Sequence, residues 1–194
     1  YPARDLLFYY ADIKGKTITD RRMEVLRTLI EKKKGQPVTV ITTMDAFLDG
    51  LPHPEEIRRE RISLSGGDVI DLTEFEKRLF ELGYERESQI EGPGQFAVRG
   101  GILDVFPLTE ELPVRIELWG DEIDSIRSFD VESQRSIENL ETVIIYPASE
   151  NWKQEMETVS FLEYFPEEKS LLLLDEPQRL QEMAEEVERE YFHS

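Results

Sequence analysis

The chain lacks cysteine and nearly lacks histidine: none of its 194 residues is Cys, and His53 and His193 are the two histidines. These absences exclude disulfides, thiolate metal ligands, cysteine nucleophiles and a histidine-rich zinc centre. No apolar run approaches the ~18 residues of a membrane span, and no charged-then-apolar amino-terminal signal is present. We therefore expect a soluble, intracellular protein located in the cytoplasm.

Basic residues are scarce in the second two thirds of the chain. Residues 1–61 carry 12 basic and 10 acidic residues, whereas residues 62–194 carry 11 basic and 32 acidic residues. A site that tracks a nucleic-acid backbone needs clustered Lys and Arg, and an excess of 21 acidic residues after residue 61 would repel phosphate. We expect no direct nucleic-acid binding by this chain. The basic run Lys32 to Lys34 is better explained as cations at the carboxyl end of a helix than as a phosphate contact.

Segments near the two ends of the chain have the pattern of α/β units. Residues 21–34 place apolar side chains at helical spacing, and VTVIT at 38–42 predicts a short buried strand. SLLLLDEP at 170–177 predicts a second buried strand, followed by a helix with Leu180, Met183, Ala184, Val187 and Tyr191 on one face. Strands that are apolar on both faces are typical of a covered parallel sheet. We predict a discontinuous α/β domain formed by residues 1–62 and 148–194.

The middle of the chain has a different pattern. Asp71 and Glu74 predict a capping box for a helix that ends at Gly83. Five strand patterns follow: QFAV from 95, ILDVF from 102, VRIELW from 114, IDSIRSF from 123 and TVIIY from 142. Short strands on Gly, Pro and Asp turns favour an antiparallel sheet with one helix packed on it. We predict an inserted α+β domain over residues 63–147.

Two motifs resemble parts of a nucleotide site. GKT at 15–17 lacks the first glycine of a phosphate loop, because that position is Tyr10, and we interpret it as a polar turn. LLLLDE, ending in Asp175 and Glu176, resembles the strand whose acid binds magnesium in ATPases. Without a phosphate loop these acids have nothing to organise, which favours a structural or vestigial role. We therefore expect no catalytic residue, cofactor or metal site in this chain.

Side-chain alternation in VRIELW predicts an interaction surface. Val114, Ile116 and Leu118 must face the core, because successive side chains of a strand point to opposite faces. The residues expected on the opposite face are Arg115, Glu117 and Trp119. Trp and Arg are the types most enriched in binding hot spots. The alternative is that another element covers Trp119 and that nearby acids pair with the arginines.

The neighbouring strand QFAVRG extends the same interpretation. Phe96 and Val98 are its expected buried residues, which places Ala97 and Arg99 outward. An outward Arg99 beside the strand that carries Arg115 and Trp119 would add a second cation to the face. We interpret this face as a partner-binding surface.

Residues 83–148, which include QFAVRGGILDVFP and VRIELWGDEIDSIRSFD, closely resemble the module shared by the excision-repair protein UvrB and the bacterial transcription-repair coupling factors (Mfd). The resemblance extends through VITTMDAFLDGLP at 40–52 and FLEYFPEEKSLLLLDEP at 161–177. UvrB has a working ATPase and a long DNA-clamping hairpin, whose place is taken here by the much shorter RDLLFYYADIKGKTITD. This difference favours the amino-terminal region of the coupling factors, which looks like UvrB with its ATPase decayed, so the outer domain would be a degenerate helicase-like α/β fragment.

The resemblance implies a function as well as a fold. It implies a non-catalytic module that recruits UvrA, linking RNA polymerase stalled at DNA damage to nucleotide excision repair. The UvrA-contacting positions of the family match Arg99, Arg115 and Trp119, and Arg86 matches a further arginine. RNA polymerase, DNA, ATP and magnesium would be bound by other parts of a full-length ATP-dependent translocase. The alternative is a fragment of a UvrB-like ATPase whose phosphate loop lies upstream of residue 1.

Overall fold

A computed structural model describes residues 1–3, 12–33, 35–153, 155–166 and 169–193, with the side chains of 12–17 and 190–193 left out. In chain order the elements are α1 (Asp12–Glu31), α2 (Met44–Leu48), β1 (Leu51–Pro52), α3 (Pro54–Glu60), β2 (Ile62–Ser65), α4 (Leu72–Glu81), β3 (Glu85–Arg86), β4 (Gln95–Arg99), β5 (Ile102–Val105), β6 (Val114–Trp119), β7 (Glu122–Phe129), β8 (Ser136–Asn139), β9 (Thr142–Ile145), β10 (Thr158–Val159), a 3₁₀ helix (Phe161–Tyr164) and α5 (Pro177–His193). The result is a mixed α/β structure with several antiparallel pairings.

The chain forms two compact units, one of Tyr1–Pro54 with Glu157–Ser194 and one of Glu55–Met156. The second unit is longer at both ends than the inserted domain predicted at 63–147. It is longer because Glu60 of α3 forms an ion pair with Arg78 of α4 and accepts a hydrogen bond from Lys153 Nζ at 2.6 Å. These contacts join both flanks of the predicted domain to its body.

The first unit has its core against α1. Met23, Leu26, Leu29 and Ile30 are all buried, as the helical spacing predicts. The helix begins at Asp12, earlier than the predicted apolar spacing at 21–34, and it ends at Glu31, just before Lys32. Lys34, the last residue of the predicted basic run, lies outside the described residues, as do residues 4–11 of the segment RDLLFYYADIKGKTITD.

The two buried strands predicted in this unit do not form. Residues 38–42 and 170–175 have no strand structure, Ile41 is 83% exposed, and each of Leu171, Leu172, Leu173 and Leu174 is more than half exposed. A buried parallel strand needs hydrogen-bonded neighbours and covering helices, and none of the described strands pairs with either run. The one sheet described in this unit is the antiparallel pair of β1 and β10.

The helix that follows the second run is present as α5. Its predicted apolar side chains Leu180, Met183, Ala184 and Val187 are half-buried, and α5 contacts α2 of the same unit. Tyr191 lies beyond the described side chains. The helical periodicity was therefore sufficient to predict this helix, although the strand before it is missing.

The second unit is built on a six-stranded sheet in the order β3-β4-β5-β6-β7-β8, in which neighbours are antiparallel except β3 and β4. Four of the five predicted strand patterns form its centre. The fifth, from residue 142, is β9, which pairs with β2 in a separate sheet. The sequence analysis missed β2, β3 and β8; all four residues of β8 are exposed, so β8 has no apolar alternation.

The predicted helix α4 covers one face of this sheet. The side chain of Asp71 accepts hydrogen bonds from the backbone N–H of Thr73 and Glu74, which caps the helix. The predicted capping box is only half formed, because the Glu74 carboxylate pairs with Lys77. The helix ends before Gly83, whose φ of +86° lies in the left-handed region. Phe80 of α4 meets Phe96 edge to face at 5.1 Å between ring centroids.

The opposite face of the sheet carries a small second core. Ala97 is 1% exposed and packs in a cluster with Ile90, Phe106 and Phe129. Strand parity predicted Ala97 on this face but exposed to solvent. Its burial is explained by its neighbours, because Ile90 comes from the segment before β4 and Phe106 and Phe129 from strand ends. This second core covers one end of the face. The other end, at the turn between β6 and β7, stays exposed.

Candidate protein-interaction site

The centre of the candidate site is a buried carboxylate, Asp104, on the sheet face opposite α4. Asp104 is 1% exposed and lies directly opposite Arg115 of β6. Arg115 donates from Nε to Oδ1 at 2.7 Å and from Nη2 to Oδ2 at 2.9 Å. Arg99 donates from Nη2 to the same Oδ2 at 2.9 Å. Asp104 therefore holds both predicted arginines at one point of the sheet.

Two guanidinium groups share this single carboxylate, so the cluster carries one excess positive charge. The hydrogen bonds that Arg115 donates to Asp104 raise the pKa of Arg115 above its ordinary value, and Arg115 stays charged at physiological pH. The Arg99 side chain is 50% exposed. An excess charge at a partly exposed site attracts a partner of the opposite sign. The cluster therefore favours an anionic partner.

Arg115 is held from two further directions. Its guanidinium carbon lies 4.4 Å from the ring centroid of Phe129, a cation–π distance. Its Nη2 also donates to Oε1 of Gln134 at 3.0 Å. The two bonds to Asp104 and the bond to Gln134 together use Nε and both protons of Nη2. Within the described part of the chain, Nη1 has no hydrogen bond. The guanidinium is fixed in place with one N–H pair still available.

Two further charges on this face of β6 and β7, those of Arg127 and Glu117, neutralise each other. Arg127 lies opposite Arg115, and its Nη2 forms an ion pair with Glu117. Ser125 donates its hydroxyl to Glu117 Oε2 at 3.2 Å. Because Glu117 offsets Arg127, the excess positive charge remains at Arg99 and Arg115.

Trp119 displays a large apolar side chain at the open end of the same face. It is 85% exposed, so no described element of the second unit covers it. The other half of the alternative is correct, because Arg99 and Arg115 both pair with the acid Asp104. It ends β6 at a tight turn through Gly120, whose φ is +66°. Trp119 and Arg115 are four residues apart on one strand, so they share a face at about 13 Å along the strand.

Val69 adds a second exposed apolar side chain beside Trp119. It forms an antiparallel bridge with Glu122, and Glu122 pairs with Trp119 across the hairpin. Directly opposed residues of antiparallel strands point to the same face, so Val69, which is 74% exposed, and Trp119 flank Glu122. The sequence analysis missed Val69 because it lies in the connection between β2 and α4.

Arg86 lies apart from these residues. It ends β3, and its Nη1 forms an ion pair with Glu76 of α4 at 3.0 Å. Helix α4 covers the other face of the sheet. The structure therefore brings together Arg99, Arg115 and Trp119, which we call the arginine–tryptophan surface, and it does not bring Arg86 to them.

Two residues that shape this surface were not singled out from the sequence. Asp104 is a charge inside the apolar run ILDVF, and a buried charge requires a partner, so its position was a signal that could have been used. Gln134 lies in a polar stretch, 19 residues from Arg115 along the chain. No local pattern predicts that contact.

The two nucleotide-like motifs do not assemble a nucleotide site in the described structure. The backbone of GKT, residues 15–17, is part of α1 rather than the predicted turn. Residues 12–14, which would belong to a phosphate loop before the helix, are helical as well. Asp175 and Glu176 are both exposed and follow a run without strand structure. Within the described ranges, no group of His, Asp and Glu is arranged to hold a metal ion. Among those same residues, no helix has the length and apolar character to cross a bilayer.

Comparison with known proteins places the site within a family domain. The family model of the UvrB interaction domain matches residues 62–151, which include the whole arginine–tryptophan surface. The chain is 37% identical over 150 residues to a transcription-repair-coupling factor of Bacillus subtilis, and 38% identical over 150 and 151 residues to those of Staphylococcus aureus and Staphylococcus haemolyticus. Each match covers 77% of this chain and 12% of the relative, so the chain spans about an eighth of the length of these proteins.

Proposed function

Since residues 62–151 of this chain match the UvrB interaction domain family and the chain is similar to transcription-repair-coupling factors, we propose that it is a non-catalytic module that recruits UvrA. The arginine–tryptophan surface is the proposed contact. In this role the chain would link RNA polymerase stalled at DNA damage to nucleotide excision repair in the cytoplasm.

The observation that carries the proposal is the combination of an uncovered indole with two anchored guanidiniums on one sheet face. Trp119 is 85% exposed, although exposing so large an apolar group is unfavourable unless a partner covers it. Arg99 and Arg115 are oriented in advance by Asp104, which lowers the entropy lost when they bind. The arrangement fits a protein surface that offers a carboxylate next to an apolar group.

Arg86 is proposed as a separate contact. Because its ion pair with Glu76 lies on the α4 side, a partner that touches both Arg86 and the arginine–tryptophan surface must reach around the edge of the sheet at β3. We therefore expect Arg86 to contribute less to binding than Arg99.

We propose that the other binding activities of a coupling factor are carried out by parts of the protein other than this chain. RNA polymerase, DNA, ATP and magnesium would be bound by other parts of a longer protein that carries the motor. The excess of acidic residues after residue 61 supports this division, because an acidic surface repels nucleic acid.

The proposal is tested by titrating a fluorescently labelled chain with purified UvrA. Trp119→Ala should weaken binding by about 1–3 kcal/mol, or roughly 5-fold to 150-fold in Kd, and leave the melting temperature unchanged. Ile137→Ala is the matched control, because Ile137 is also an exposed apolar residue of this sheet, at 55%. Lack of binding by the unaltered chain would refute UvrA recruitment, whereas full binding by folded Trp119→Ala would refute the proposed surface alone.

A further inference from the structure

Gln134 has a backbone conformation that its side chain does not favour. Its φ is +57°, and Glu176 is the one other non-glycine residue with positive φ within the described ranges. Gly and Asn are the residues that usually occupy the left-handed region, because Cβ lies too close to the following carbonyl oxygen there; Gly has no Cβ, and the short Asn side chain can hydrogen-bond locally. The unfavourable conformation makes the contacts of the glutamine side chain a candidate reason for its presence at this position.

The turn around Gln134 maintains this conformation. Gln134 N donates to Asp130 O at 2.8 Å, and Asp130 N donates to Arg135 O at 3.0 Å. The Asp130 carboxylate accepts from Ser133 N at 2.8 Å and from Ser133 Oγ at 2.6 Å, and these bonds lower the pKa of Asp130. The turn is thus closed by four hydrogen bonds that do not involve the Gln134 side chain.

The side chain of Gln134 is directed by two opposite hydrogen bonds. Nε2 donates to Val131 O at 2.7 Å, and Oε1 accepts from Arg115 Nη2 at 3.0 Å. Because the Val131 carbonyl can only accept, it requires the NH₂ of the amide on its side. The amide oxygen must then face Arg115, so the orientation of the amide follows from the turn.

We propose that Gln134 is a positioning residue of the arginine–tryptophan surface, and this inference rests on the proposed function. Asp104 and Gln134 together accept hydrogen bonds from all the N–H groups of Nε and Nη2 of Arg115. The Nη1 pair is left to meet a carboxylate of UvrA. Gln134 contributes by holding Arg115 before the partner arrives, so its loss should act through Arg115 alone.

A double-mutant cycle tests this dependence. UvrA binding would be measured for the unaltered chain, Gln134→Gly, Arg115→Ala and the double variant. Glycine suits the positive φ, so Gln134→Gly removes the amide without straining the turn. We expect Gln134→Gly to weaken binding by about threefold to tenfold when Arg115 is present, the range of one lost hydrogen bond, and by less than about twofold in the Arg115→Ala background.

Two further measurements guard against a general effect on the turn. Glu132→Gly introduces the same flexibility at an exposed neighbour of Gln134 and should leave binding unchanged. The NMR signal of the Arg115 Nε–H should show faster motion in Gln134→Gly without UvrA. An equal loss of binding in both backgrounds, or an Arg115 signal unchanged by Gln134→Gly, would overturn the inference while UvrA recruitment stands. Failure of the unaltered chain to bind UvrA would overturn both.

Discussion

Arg115 and Asp104 lie directly opposite each other on β6 and β5, and two parallel hydrogen bonds of 2.7 and 2.9 Å join the guanidinium to the carboxylate. Two-point pairing of this kind fixes the plane of the guanidinium as well as its position. Arg99 shares the same carboxylate, so neither arginine is fully neutralised. The pair therefore presents a rigid and positively charged group to a partner.

Arg99 and Arg86 should differ in their contribution to UvrA binding. Arg99→Ala removes a half-exposed cation from the arginine–tryptophan surface and should weaken binding by about 1–3 kcal/mol. Arg86→Ala should cost less than about 1 kcal/mol, because its guanidinium pairs with Glu76 on the α4 side. Isothermal titration calorimetry of both variants measures the difference. An Arg86→Ala loss equal to that of Arg99→Ala would mean that UvrA wraps around the sheet edge.

Salt should weaken the binding that remains after the indole is removed. In Trp119→Ala the remaining attraction comes from Arg99 and Arg115, and interactions between charges are screened as ionic strength rises. The Kd of Trp119→Ala should therefore increase steadily between low and high salt. A Kd that does not depend on salt would show that the arginines make no charged contact with UvrA.

Ile116 should behave in the opposite way to its strand neighbour Arg115. It is fully buried on the α4 face, and Ile116→Ala should lower the free energy of unfolding by about 2–4 kcal/mol because it leaves a cavity. Urea unfolding measures this loss, with Ile137→Ala as an exposed control expected within about 0.5 kcal/mol of the unaltered chain. A stable Ile116→Ala would mean that the faces of β6 are assigned the wrong way round.

Glu60 should make stability depend on acidity. Its hydrogen bond with Lys153, assisted by Arg78, lowers its pKa below the ordinary value of 4.5. A lowered pKa in the folded state means that Glu60 stabilises the fold above about pH 4.5 and that this contribution disappears as pH falls through the lower folded value. Glu60→Gln should destabilise the chain near neutral pH by about 1–2 kcal/mol. It should also lose less stability than the unaltered chain on acidification below pH 4.5, as measured by thermal unfolding at a series of pH values.

The chain should bind neither ATP nor duplex DNA. The GKT backbone is helical, and residues 62–194 carry 32 acidic against 11 basic residues, so neither a phosphate loop nor a basic track is available. Lys16→Ala should accordingly change the free energy of unfolding and UvrA binding by less than about 0.5 kcal/mol. Filter binding with labelled ATP and magnesium tests whether the chain binds ATP. Fluorescence titration with duplex DNA tests whether it binds DNA. Micromolar ATP affinity would instead support a fragment of a UvrB-like ATPase.

Local patterns in the sequence were informative where a few consecutive residues decide the structure. The caps of α4 depend on Asp71 and Gly83, which act within one turn of the helix. The apolar spacing of α1 and the alternation along β6 likewise depend on near neighbours. By contrast, 38–42 and 171–174 have the composition of buried strands and remain exposed, because composition does not supply the neighbouring strands that such runs require.

The sequence by itself determined that Arg115 and Trp119 share one face of a strand and that Val114 and Ile116 share the other, because alternation is a property of the strand backbone. Only the tertiary structure decided what surrounds them. The register of β5 against β6 places Asp104 beside Arg115, and the turn after β7 places Gln134 on its other side. The second core buries Ala97, and the contacts of Glu60 with Arg78 and Lys153 extend the unit beyond its predicted ends. These contacts join residues far apart in the chain, and their free energies depend on the packing of the whole unit rather than on any local sequence pattern.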